Sequence, residues 1–96
     1  MSVNKEAMQQ WIDVLRSGKY KQIQGMMRNE EGFCALGVGQ EVVARGIPWM
    51  DAELLNQEYG VTDSQLREVF IWNDIDEKDF FEIADLLYAK YIKDPE

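Results

Sequence analysis

The chain has 96 residues and a formal charge of −8, from 10 Lys and Arg against 18 Asp and Glu, with one cysteine and no histidine. Hydrophobic residues are 46% of it and charged residues 29%. That is a globular composition, and a chain of this length forms one domain around one modest core. The balance disfavours nucleic acid as a partner, because phosphate binding needs a cationic face. No apolar run approaches the roughly 18 residues that span a bilayer, so no membrane partner is expected. Without histidine the commonest general base, metal ligand and pH switch are all missing. A single cysteine and an N-terminus without a basic stretch and apolar core predict a cytoplasmic protein with no signal peptide.

In chain order, Asn4 is placed to cap a first helix over residues 5–17, with Ala7, Met8, Trp11, Ile12 and Leu15 at helical spacing and Gly18 as its stop. Residues 20–35 change character. Two short apolar stretches flank the turn-forming Asn29-Glu30-Glu31-Gly32, which predicts a β-hairpin with Gly32 at positive φ and Tyr20 opposite Phe33. A helix over 36–45 follows, its Gly37 and Gly39 suited to close packing, and Gly46 and Pro48 end it. Helices are expected over 51–59, 63–73 and 77–92. Thr62 and Gln65 fit a capping box, and Asp76 is placed to cap the last helix. Phe80, Ile83, Ala84, Leu87, Tyr88 and Tyr91 form the apolar stripe of that helix. The expected fold is a single small α+β domain, one β-hairpin packed against four or five helices.

Several motifs invite a chemical reading and fail on register. Asn73-Asp74-Ile75-Asp76-Glu77-Lys78-Asp79 has the density of a calcium loop. Counted from Asp74, however, Lys78 falls fifth, Asp79 stands where Gly is required and Asp85 replaces the closing Glu. Cys34 has no histidine to activate it, and its apolar neighbours predict burial. Gly37-Val38-Gly39 lacks the preceding strand and following Lys of a phosphate loop. No catalytic residue, cofactor or metal is therefore expected, and the protein is read as not an enzyme.

The charge is concentrated. Residues 1–48 carry a net +1 and residues 49–96 a net −9. Asp74, Asp76, Asp79, Glu82 and Asp85 are read as an acidic ridge that either solubilises the domain or meets a basic patch on a partner, with the apolar connector at Trp49 and Met50 as a second contact point.

Two segments carry a resemblance. One is Leu15-Arg16-Ser17-Gly18-Lys19-Tyr20-Lys21-Gln22, with Gly25, Arg28 and Gly32-Phe33-Cys34-Ala35-Leu36-Gly37-Val38. The other is Trp72-Asn73-Asp74, with Phe80 and Glu82-Ile83-Ala84-Asp85. The pattern resembles a family of small uncharacterised proteins of tailed bacteriophages and prophages. The chain departs from it where Ala35 replaces a second cysteine, where residues 22–27 are bulkier, and where Asp79 replaces a serine. The resemblance implies a phage origin and an intracellular life in a bacterial host, and it brings no catalytic residue with it.

The functional expectation is a small acidic, non-catalytic protein-interaction module that binds and modulates a host protein. The alternatives are a structural or self-associating protein, such as a homodimer through Trp49 and Met50, and a nucleic-acid binder using Lys19, Tyr20, Lys21 and Arg28.

Overall fold

The computed structural model describes residues 3–25, 29–44 and 53–93. Among them the domain is all-helical. Its helices are α1 (Lys5–Ser17), α2 (Ala35–Ala44), α3 (Glu53–Tyr59), α4 (Asp63–Phe70) and α5 (Phe80–Leu87). A π-helical turn prolongs each of the last two, Ile71–Ile75 after α4 and Tyr88–Ile92 after α5.

α1 forms where its capping and spacing direct it. The Asn4 side chain accepts from the Ala7 N–H at 3.2 Å and donates to the Glu58 carbonyl at 3.1 Å, so one amide caps α1 and ties it to the end of α3. Gly18 ends the helix at φ 77. Met8, Trp11, Ile12 and Leu15 are buried against Phe80, Ile83, Ala84, Leu87 and Tyr91 of α5 and its π turn. Each large apolar side chain so buried contributes roughly 1.5–3 kcal/mol.

Trp11 is the point on which α1, α2 and α3 converge. Its indole N–H donates to the Ala35 carbonyl at 3.0 Å, and its ring lies 4.6 Å from that of Tyr59. The Tyr59 hydroxyl donates to the Gly39 carbonyl at 2.7 Å. A Cβ on Gly39 would stand 2.7 Å from the Trp11 ring, so glycine lets α2 approach the indole.

Among the described residues the expected hairpin is not formed, and with it the α+β class is replaced by an all-helical one. Among the described residues, 19–25 and 29–34 meet in one isolated pair, Gln22 with Phe33, and its sense is parallel. Phe33 N–H donates to the Lys21 carbonyl at 2.8 Å, and Ile23 N–H donates to the Phe33 carbonyl at 2.9 Å. A hairpin requires antiparallel strands. The physical reason lies in who satisfies the backbone. The Asn29 side chain accepts from Glu31 and Gly32 N–H at 2.7 and 3.1 Å, folding the tip into an Asx turn. Asn73 donates to the Ile23 carbonyl at 2.9 Å, and Asp74 accepts from Gly25 N–H at 2.8 Å, so side chains take the place of a ladder.

Two local expectations change with it. Positive φ falls at Gly25, at 93°, and not at Gly32. Gly32 is needed because a Cβ there would lie 2.2 Å from the Lys21 carbonyl oxygen. The Tyr20 and Phe33 rings do meet, edge to face at 4.7 Å, across the parallel pair. Farther on, Asp76 does not cap the last helix. Its N–H closes the preceding π turn on the Ile71 carbonyl, and α5 begins three residues later at an Asp79 cap.

Candidate interaction surface

The acidic ridge is best understood one carboxylate at a time, because most of its members have work inside the fold. Asp74 is half-buried. One oxygen accepts from Gly25 N–H at 2.8 Å and the other from the Asn73 amide at 2.6 Å. Asp79 and Glu82 form a reciprocal capping box: Asp79 accepts from Glu82 N–H at 2.8 Å, and Glu82 accepts from Asp79 N–H at 3.2 Å. Asp85 pairs with Arg16 of α1 at 2.8 Å.

Asp76 and its neighbour Glu77 differ. Both are exposed, and among the described residues no hydrogen bond or ion pair engages either side chain. Glu77 also holds φ at 56°, a left-handed conformation that non-glycine residues seldom adopt. Ile75 stands beside them with 65% of its surface exposed, the most of any large apolar residue in the described chain. The turn thus presents an apolar side chain and two unengaged carboxylates together. Trp49 and Met50, the other expected contact residues, lie outside the described residues.

The base of this turn is densely hydrogen-bonded. Asn73 is fully buried. Its oxygen accepts from the Gln22 amide at 2.8 Å and from Ala35 N–H at 3.1 Å, while its nitrogen donates to Ile23 and Asp74. Gln22 reaches on to the Lys78 carbonyl at 2.7 Å. One amide therefore joins the 22–25 segment, the start of α2 and the π turn beneath Ile75. Cys34 lies beside this node with its sulfur accepting from Gly37 N–H at 3.4 Å. Burial pushes its thiol pKa above the ordinary value, assisted by the nearby charge of Asp74 and opposed by the N–H groups of Gly37 and Leu36.

A second exposed apolar set lies on α5, the start of its π turn, and α4. Phe81 is 57% exposed, Phe70 42% and Tyr88 37%. Phe70 edges an open groove between α2 and α4 that Leu36, Leu66 and Arg67 also line. Sequence reasoning missed Phe81, although adjacency carried the signal. The core face of α5 is centred on Phe80, Ile83, Ala84 and Leu87, and at about 100° per residue Phe81 falls off its edge. The cationic loop offers less than its sequence suggests. The Tyr20 ring is packed on Phe33 and overlaid by Lys19, and Arg28 lies outside the described residues.

Helix, cap and turn together define a small all-helical domain with an exposed acidic-apolar turn. The chain belongs to the family described as Domain of unknown function (DUF8296), which it matches over residues 3–94. No curated protein and no solved structure matches it. Among the described residues no helix is long and apolar enough to cross a membrane.

Proposed function

We propose that this chain is a non-catalytic protein-interaction module of phage origin, working in the cytoplasm of a bacterial host, that holds a host protein through the turn carrying Ile75, Asp76 and Glu77. The observation that carries the reading is the pairing of a 65% exposed isoleucine with two carboxylates that have no task in the fold, on a turn braced by a buried amide. Strain at Glu77 fits a turn shaped for a contact. The complementary partner surface is an apolar pocket rimmed by Lys or Arg. Charge at the rim would govern the association rate and its salt dependence, and the buried isoleucine would govern residence time. The absence of histidine and the burial of Cys34 favour binding over catalysis.

The test is a photoreactive side chain at position 75 of the full chain, expressed in a bacterial host. A discrete adduct is expected from position 75 and not from the exposed Gln10 on α1. With the adduct's partner purified, Asp76→Lys with Glu77→Lys is expected to slow association and flatten its salt dependence in a domain that still folds. Adducts of equal yield from positions 75 and 10 would return this turn to ordinary surface.

A further inference from the structure

We propose that the flank of α5 and the start of its π turn carrying Phe81, Asp85 and Tyr88 is a self-complementary interface through which two copies of this chain associate about a two-fold axis. Phe81, Asp85 and Tyr88 stand at i, i+4 and i+7, so they lie on one side of the helix, away from the Phe80, Ile83, Ala84 and Leu87 face that fills the core. Two of the three are large exposed rings. Between them sits an ion pair: Arg16 Nη2 reaches Asp85 at 2.8 Å, and the same guanidinium lies 5.6 Å from the centre of the Tyr88 ring. The order along the flank is therefore ring, ion pair, ring.

That order is what an isologous contact requires. When two α5 helices are laid antiparallel with the axis beside Asp85, Phe81 of one copy meets Tyr88 of the other, twice over. The two ion pairs then face each other. Asp85 is 75% exposed in its side chain and Arg16 38%, so each has capacity for a second partner of opposite sign. Charge singles out the occupant. The chain as a whole is at −8, yet the centre of this flank pairs one cation with one anion. A second copy brings the matching pair, cation against anion and anion against cation. The patch is small, so the dimer is weak and in rapid exchange. Two chains of the same net charge repel at long range, so salt strengthens this association, the opposite of its effect on a contact with a basic partner.

The test is sedimentation velocity of the full chain from about 10 µM to 1 mM, a span that covers weak association, at low and at high sodium chloride. A concentration-dependent dimer that grows with salt is expected. Phe81→Ser, at an exposed position, is expected to weaken it about tenfold or more, with an unchanged circular dichroism spectrum. Asp76→Lys is expected to leave it intact, which separates this interface from the turn proposed for the host protein. The decisive arm uses charge. Arg16→Glu and Asp85→Arg are each expected to be monomeric alone and to form a mixed dimer when combined. A parent chain that stays monomeric at every concentration and salt, or a dimer indifferent to Phe81→Ser, overturns the proposal.

Discussion

The pair α1 and α5 and the segment 19–34 are held by different physics. The helices are joined by apolar burial spread over many side chains, so their stability is distributed and no single group is indispensable. The segment has one bridging residue pair among its described residues and takes its order from a few directed hydrogen bonds converging on Asn73 and Asp74. The difference teaches where a small domain is fragile. Losing a methyl from a distributed core reduces stability by degrees, whereas losing a buried amide strands several backbone groups at once.

Of the variants compared below, the largest effect is expected at Asn73. Asn73→Ala removes the acceptor of Ala35 N–H and the donor to the Ile23 carbonyl, and leaves Gln22 with its bond to Lys78 alone. Unsatisfied buried groups cost about 1–3 kcal/mol each, so a loss of about 3 kcal/mol or more is expected in urea unfolding. Ile83→Val, which trims the distributed core, is expected to cost about 1 kcal/mol. Equal losses from the two variants would erase the contrast.

Next comes Gly32. Gly32→Val would drive a side chain into the Lys21 carbonyl and break the Gln22–Phe33 bridge, at a cost of about 1–3 kcal/mol in thermal melts. Gly25→Ala meets open space but strains a φ of 93°, at about 1 kcal/mol. A Gly32→Val variant that melts with the parent would mean that the bridge contributes nothing.

These two regions were unequally legible in the sequence. The stripe Met8-Trp11-Ile12-Leu15, the Asn4 cap, the Gly18 stop and the Thr62-Gln65 capping box all express short-range rules, and each appears where its spacing places it. The hairpin reading rested on an equally local signal, a turn cluster between apolar stretches. What defeated it was a partner some 50 residues away: Asn73 and Asp74 take the hydrogen bonds a second strand would have made. No local pattern announces such a pairing. The candidate surface divides in the same way. Acidic clustering was visible, but which carboxylates were engaged was not, because the pairing of Arg16 with Asp85 is made across 69 residues and the capping box starts at Asp79 and not Asp76.

Those engaged and unengaged carboxylates supply a smaller contrast. Asp79→Ala removes an N-cap and is expected to cost about 1 kcal/mol. Asp76→Ala removes an exposed side chain without a task and is expected to stay within about 0.5 kcal/mol of the parent. Chemical denaturation of both variants checks this, and a large loss at Asp76 would move it from the contact surface into the fold.

The smallest effect is confined to alkaline solution and sits where the segment joins α2, at Cys34 just before its first residue. Burial raises its thiol above the ordinary value near 9.0. In the unfolded chain the thiol ionises near that ordinary value; in the folded chain it still holds its proton there. Below about pH 9 both states are protonated and the thiol adds no pH dependence. As pH rises further the unfolded state releases its proton first, so unfolding becomes more favourable until the folded thiol ionises too. Burial raises Tyr91 above its ordinary 10.0, and the bond to Glu68 raises Lys90 above its ordinary 10.5, so both act with the same sign from a higher starting pH. Urea midpoints measured from neutral pH upward are thus expected to begin falling about one pH unit earlier in the parent than in Cys34→Ala, with both falling once tyrosine and lysine titrate. Slow labelling of the native thiol by an alkylating reagent is expected beside it, since the reactive thiolate is scarce and enclosed. Parallel pH profiles in parent and variant, or rapid labelling at neutral pH, would show that the joint opens to solvent and that the segment is looser than its bonds to Asn73 imply.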